Sequence, residues 1–371
     1  MGVREGLPAP WYYDPGQFDL ELQAIWSRQW LAIGRATDWP RAGDWRRVTL
    51  GDQQILVTRD RDGAWRAFHN TCRHRGSQLC AGEAGRFPAG RIVCPYHAWA
   101  YSLDGELLAT PLQDEAEDFR RSDFPLYAVA VASWGGFVFI NLAAAPAEAL
   151  AASMLDETQR LSAWPLHELA LAHREVQEVA CNWKIFWENY QECYHCSGIH
   201  PELSRLVPLY GQGLVRPGQL PEGHPLRQAP VGLRPGAVSW TSDGATSLPD
   251  IAGLGPAQLE AGMTFADFLP GMFVIAHRDY VRSVRVWPLA PERTRLTVDW
   301  LLPANTLAMQ PDLERLVSFA RQVVAEDARA CEINQGGLRS RAHRHGVLLP
   351  SEDGVAEFDD WVRAQLPRTA V

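Results

Sequence analysis

The chain has 371 residues, 46% of them apolar, and a formal net charge of −9. That length and composition suit one large or two ordinary domains with a sizeable core, and exclude a disordered chain. The acidic balance excludes nucleic acid as the main partner, since phosphate recognition needs a basic face, and no run of 18 uninterrupted apolar residues exists to span a membrane.

The first 30 residues carry neither a basic segment nor an apolar stretch of signal-peptide length, so the cytoplasm is the expected location. Residues 17–30 place Phe18, Leu22, Ile25 and Trp26 at three- and four-residue steps and predict a short amphipathic helix. Residues 45–70 then read as three strands broken at Gly51-Asp52 and Asp62-Gly63. The same texture returns over 91–109, with a turn at Asp104-Gly105, and over 126–142, where two strands meet at Gly135-Gly136. Residues 35–145 therefore read as a small all-β domain. Residues 147–163 are Ala-rich and helical, 169–181 a strand, and 182–194 a helix capped by Asn182. The Gly- and Pro-rich stretch 208–262 predicts loops, of the kind that make a lid or pocket wall. Strands follow over 272–302, and a long helix over 311–335 that Gly336-Gly337 should stop.

Seven cysteines are present, an odd number in a chain without export signals, and they read as ligands or buried thiols rather than a disulfide framework. Cys72-Arg73-His74 and Cys94-Pro95-Tyr96-His97 each offer one thiolate and one imidazole. A zinc finger pairs Cys with Cys and His with His. Alternating Cys and His suits a two-iron, two-sulfur cluster instead, with two thiolates on one iron and two imidazoles on the other. A zinc knuckle is the rival.

The second candidate centre lies in ENYQECYHCSGIHP. His195 and His200 are five apart, too far for one helix face, so the helix should end near Cys196 and let two imidazoles converge. A ferrous oxygenase centre needs two His and one carboxylate on one face. The long C-terminal helix offers Asp327 on an otherwise small or apolar stripe of Leu313, Val317, Ala320, Val324 and Cys331. A carboxylate there is costly unless paired or metal-bound. An ion pair with Arg329 or Arg339 is the alternative to a ligand role.

FHNTCRHRG and CPYHAWAYSLDG resemble the Rieske family. Ser77 and Tyr96 stand where high-potential members carry an extra disulfide, so the likeness is to the oxygenase branch. NWKIFWENYQECYHCSGIHP with the downstream AEDARACEINQGGLRS resembles the catalytic domain of Rieske non-haem iron ring-hydroxylating oxygenases, and the similarity runs from about Tyr13 to Trp361. The resemblance implies an α+β chain: an all-β Rieske domain (35–145), and a catalytic domain (1–34 and 146–371) with an antiparallel sheet and covering helices in a helix-grip-like arrangement. It implies a cluster on Cys72, His74, Cys94 and His97, one mononuclear Fe(II) on His195, His200 and Asp327, and O2 as co-substrate. It also implies a homotrimer in which Glu192 bridges to a cluster histidine of the neighbouring subunit. Glu192 reads equally as a prop that orients His195. Asn189 either faces the iron or is a helix-surface amide, and Cys193 and Cys196 read as packing residues.

No nucleotide-binding Gly motif is present, so electrons must come from an NAD(P)H-dependent flavin/iron-sulfur reductase or a ferredoxin. The ENYQECYHC…HPEL text resembles the subgroup that N-demethylates or hydroxylates betaine-like quaternary ammonium compounds. Trp240, Phe265, Phe268, Phe273 and Tyr280 then become candidates for a cage around a methylated cation, or ordinary core. Arg282 or Arg285 would hold a substrate carboxylate, or lie solvated. The alternatives are aromatic-compound catabolism, with an aromatic acid as the ring substrate, and, from another class, an electron carrier using the Rieske half alone.

Overall fold

The computed structural model describes residues 2–87, 89–112, 114–216, 219 and 232–367. Two compact units emerge: Met1–Ile25 with Met154–Val371, and Trp26–Ser153. The second is wider than the 35–145 read from the sequence, because strand Leu31–Arg35 pairs antiparallel with Phe137–Asn141 and so belongs to the β-unit.

The β-unit is built of three small antiparallel sheets. Strands Asp44–Leu50, Gln53–Arg59 and Trp65–His69 form one with Ala84–Arg86; Arg91–Val93, Ala100–Ser102 and Leu107–Ala109 form another. The turn at Asp104-Gly105 needs glycine twice over. Its φ is +89°, and a Cβ there would sit 2.5 Å from the Phe68 ring. Leu56, Phe68, Ile92, Tyr101 and Leu107 pack with Cys72 and Cys94 in one core, so the two loop cysteines are anchored in apolar surroundings.

The other unit centres on a five-stranded antiparallel sheet, in the order Leu169–Val179, Arg293–Pro303, Val281–Ala290, Met272–His277, Met263–Phe268. The last strand lies between the stretch read as loops, 208–262, and the strands read from 272. Residues 217–218 and 220–231 of that stretch lie outside the described residues. Helix Trp183–Tyr190 and the 25-residue helix Glu314–Leu338 pack together, and the long helix also meets the edge strand Leu169–Val179.

Asn182 caps the Trp183–Tyr190 helix by accepting from the Lys184 N–H at 3.0 Å. The long helix does not stop at Gly336-Gly337. It runs through both to Leu338, because Leu338 is buried and Gln335 accepts the Asn182 N–H at 2.8 Å. Helix Pro15–Glu21 gives way after one more irregular turn, at Trp26, and not at residue 30. Its Glu21 holds Lys184 through both carboxylate oxygens at 2.7 Å and accepts from the Trp183 indole at 2.8 Å, all fully buried. A buried pair so fully hydrogen-bonded fixes position more than it stabilises, and here it fixes the helix that leads into the site.

Candidate functional site

The two cluster loops repeat one backbone design. The Cys72 N–H donates to Ser77 O at 2.8 Å and the Gly76 N–H to Cys72 O at 3.0 Å; the Cys94 N–H donates to Trp99 O at 2.8 Å and the Ala98 N–H to Cys94 O at 3.0 Å. Gly76 and Ala98, at equivalent places, both have positive φ, +75° and +57°. Each loop thus buries its sulfur and presents its imidazole: Cys72 and Cys94 are buried, His74 and His97 exposed. The two imidazoles lie with centroids 4.7 Å apart, and Trp99 stacks on His74 at 4.7 Å. The Tyr101 hydroxyl accepts the Arg73 N–H at 3.1 Å, which leaves its own proton for Cys72 Sγ at 3.2 Å.

These four donors form no knot of the kind that His195, Cys196 and His200 make, whose donor atoms gather within 4.8 Å. A single tetrahedral zinc needs its donors about 4 Å apart. Wider spacing, with two sulfurs inside and two imidazoles outside, fits two irons.

The second centre forms where the Trp183–Tyr190 helix ends. Glu192 lies past that end, on the turn before the short helix Cys196–Ile199, and not on a continuing helical face. His200 Nε2 is 2.8 Å from Asp327 Oδ1, His195 Nε2 is 3.5 Å from the same oxygen, and the two rings lie 5.2 Å apart at 74°. Each imidazole has its other nitrogen held by a carboxylate: His195 Nδ1 by Glu192 Oε1 at 2.5 Å, His200 Nδ1 by Glu326 Oε2 at 2.7 Å. Such outer carboxylates fix the tautomer and aim Nε2 inward. Glu192 also accepts from the Tyr194 and His195 N–H groups through its other oxygen, so it orients His195. Asp327 forms no ion pair with Arg329 or Arg339. Burial alone would raise its carboxyl, but the two imidazoles hold it below the usual range. His195 shows the mirror effect: burial opposes its charge, yet Asp327 and Glu192 raise it to about 9.

Cys193 and Cys196 do not pack as free thiols. They are joined in a disulfide, with Cα atoms 4.9 Å apart on this tight turn. Cys196 Sγ is 3.7 Å from His195 Nε2, but a bridged sulfur is no thiolate, so the donor set that fits a cation is two imidazoles and one carboxylate. That set, on one side of an open position, suits a ferrous ion. The C-x-x-C spacing was the signal for the bridge.

A hollow of about 90 Å³ opens on this centre. His195, His200 and Asp327 line it together with Asn189, Tyr190, Tyr210, Trp240, Phe265, Phe273 and Arg282. Phe268 and Tyr280 are buried but are not among its lining residues. Tyr190 stacks on Phe273 at 3.8 Å. Arg285 is turned away and paired with Asp299 at 3.5 Å. A second hollow, of about 340 Å³, shares Asn189, Glu192 and His195 but neither His200 nor Asp327; the half-buried Glu188 and the buried Asp359 line it. The aromatic hollow, which holds both imidazoles and Asp327, is the better candidate for chemistry. Glu326, Tyr190 and Tyr210 were not singled out by sequence. An acid beside a helical stripe reads as solvated, and Tyr210 falls in the aperiodic stretch.

The Rieske [2Fe-2S] domain matches residues 29–128, and the catalytic domain of the ring hydroxylating alpha subunit matches residues 157–368. The glycine betaine monooxygenase oxygenase subunit of Chromohalobacter salexigens is 34% identical over 96% of this chain and 84% of its own length. The carnitine monooxygenase oxygenase subunit of Escherichia coli K12 is 29% identical over 95% of this chain and 91% of its own. A solved quaternary ammonium Rieske monooxygenase superposes with TM-score 0.75 at 24% identity, covering 98% of this chain and 96% of that one. Naphthalene 1,2-dioxygenase from Rhodococcus sp. does so with TM-score 0.75 at 20% identity, covering 98% and 95%, and speaks to the fold alone. No helix among the described residues is long and apolar enough to cross a membrane. The chain therefore belongs to the Rieske ring-hydroxylating alpha-subunit family, oxidoreductases that draw electrons from a reductase and use a Rieske cluster, a mononuclear iron and O2.

Proposed function

We propose that this chain oxygenates, and N-demethylates, a small betaine-like quaternary ammonium compound. Cys72, His74, Cys94 and His97 hold the cluster in this reading, and His195, His200 and Asp327 hold the iron. When bound, the cluster supplies single electrons and the iron supplies oxygen activation. The chain's own groups set the stage. Glu192 and Glu326 keep both Nδ1 protons and turn both Nε2 atoms toward Asp327. Tyr190, Phe265 and Phe273 offer ring faces and exclude water, surroundings that favour a methylated cation over a hydrated one.

The observation that carries the reading is the convergence of two imidazoles and one carboxylate on a small aromatic hollow. The relatives named for glycine betaine and carnitine support the same class. Exposed cluster imidazoles suit electron delivery across a subunit boundary in a homotrimer, with Glu192 as the bridging acid. The electron-carrier reading leaves the second centre without a role.

The test is a single turnover. The purified, chemically reduced protein is mixed with O2 and a panel of betaines, N-methyl amino acids and aromatic acids, and the products are read by mass spectrometry. A demethylated product with formaldehyde supports the proposal. A hydroxylated ring moves the chain to aromatic catabolism.

A further inference from the structure

Arg282 is 3% exposed, and its Nε and Nη1 have no hydrogen-bond partner among the described residues. It stands on strand Val281–Ala290, paired across to Ile275 and Trp300. With Val284, two residues on and on the same face, it lines the aromatic hollow beside His195, His200 and Asp327. Arg285, three residues along, has its charge answered by Asp299. Among the described residues, Arg282 has no carboxylate within ion-pair distance. Its guanidinium carbon instead lies 5.3 Å from the centroid of Trp240, whose indole N–H is tied to Met263 Sδ at 3.0 Å.

Two consequences follow. Trp240 is already covered by a cation of the chain, so it is not free to cage the substrate's ammonium. That role falls to Tyr190, Phe265 and Phe273. A buried guanidinium with N–H groups unspent is costly, unless an anion completes it. The distant charge of Asp327 helps little, and burial still pushes the guanidinium down.

We propose that Arg282 is the carboxylate anchor of the substrate pocket, so the substrate is a zwitterion: an N-methylated ammonium carrying a carboxylate, and not an amino alcohol such as choline. This rests on the aromatic hollow being the substrate pocket of the oxygenase. Arg282 acts on specificity. It presents N–H donors that a carboxylate satisfies and that an alcohol leaves largely unpaired, and such an imbalance discriminates by orders of magnitude.

The test compares glycine betaine, its methyl ester, choline and benzoate by calorimetric binding to the iron-loaded, cluster-containing protein, with single-turnover product analysis alongside. The wild type is expected to bind glycine betaine at least about 100-fold more tightly than choline or the ester. Arg282→Gln should lose that preference, with iron content and cluster spectrum unchanged, and Arg282→Lys should retain part of it. Equal binding of betaine and its ester by the wild type overturns the proposal without any variant having to fold. So does Arg282→Gln that keeps wild-type betaine affinity. If benzoate binds through Arg282 and no quaternary ammonium compound binds or turns over, the anchor stands and the quaternary-ammonium reading falls. If betaine is demethylated equally well by wild type and Arg282→Gln, the anchor falls and that reading stands.

Discussion

Glu326 Oε2 accepts the Nδ1–H of His200 at 2.7 Å, which leaves His200 Nε2 2.8 Å from Asp327. Two acids adjacent on one helix therefore do different work: Asp327 faces the centre, and Glu326 fixes the imidazole that faces it.

Removing that outer contact should loosen the metal without destroying the fold. Glu326→Ala is expected to lower iron affinity by about 10- to 100-fold, the usual cost of losing such a partner. Anaerobic Fe(II) titration with a competing chelator measures it, with the cluster spectrum as the control for folding.

Metal uptake should depend on pH. In the metal-free chain Asp327 and Glu192 hold the His195 pKa at about 9, and an imidazole must be neutral to bind metal, so loading releases a proton. Affinity for Fe(II) is expected to rise by about tenfold per pH unit up to near pH 9. The same linkage sets stability. A raised histidine pKa contributes fully below its unfolded value of about 6.5 and is lost as pH rises through about 9. Metal-free protein should therefore lose Tm over that window, relative to His195→Gln.

The acid pair Glu188 and Asp359 gives the same slope in a lower pH window, from burial and not from a partner. Burial pushes Asp359 up to about 6 from 3.8, and Glu188, which accepts from the Tyr12 hydroxyl at 2.6 Å, is also raised, first by burial and then by Asp359. The folded state then binds more protons than the unfolded one between those values, so stability falls as pH rises from about 4 to about 6. Asp359→Asn should escape that fall. Its advantage over wild type is expected to grow by about 1–3 kcal/mol across the window, read from urea melts at pH 4 and pH 7.

Tyr101 donates to the buried Cys72 sulfur. Hydrogen bonds to cluster sulfurs stabilise the more negative, reduced state. Tyr101→Phe should lower the cluster midpoint potential, measured by a spectroscopic redox titration.

The sequence marked the chemistry better than the scaffold. His195, His200 and Asp327 stood out because imidazoles and a carboxylate in apolar settings demand a reason, and the structure brings them together. Elements decided by distant contacts were not legible. Strand Met263–Phe268 takes its register from Met272–His277, which the six residues just past a Gly- and Pro-rich stretch do not announce. Two glycines read as a helix stop, yet the buried Leu338 and the Gln335–Asn182 contact outweigh their propensity. The pairing of Arg4–Pro8 with His345–Leu348 joins segments some 340 residues apart, beyond any local signal.

The proposed function requires two separate iron centres on one chain, only one of which needs His195. The direct measurement is iron and acid-labile sulfide per chain in wild type and His195→Ala, with the cluster spectrum and single-turnover activity. Three irons per chain are expected to fall to two in His195→Ala, with an unchanged cluster spectrum and no turnover. Loss of the cluster in His195→Ala with turnover retained would contradict it.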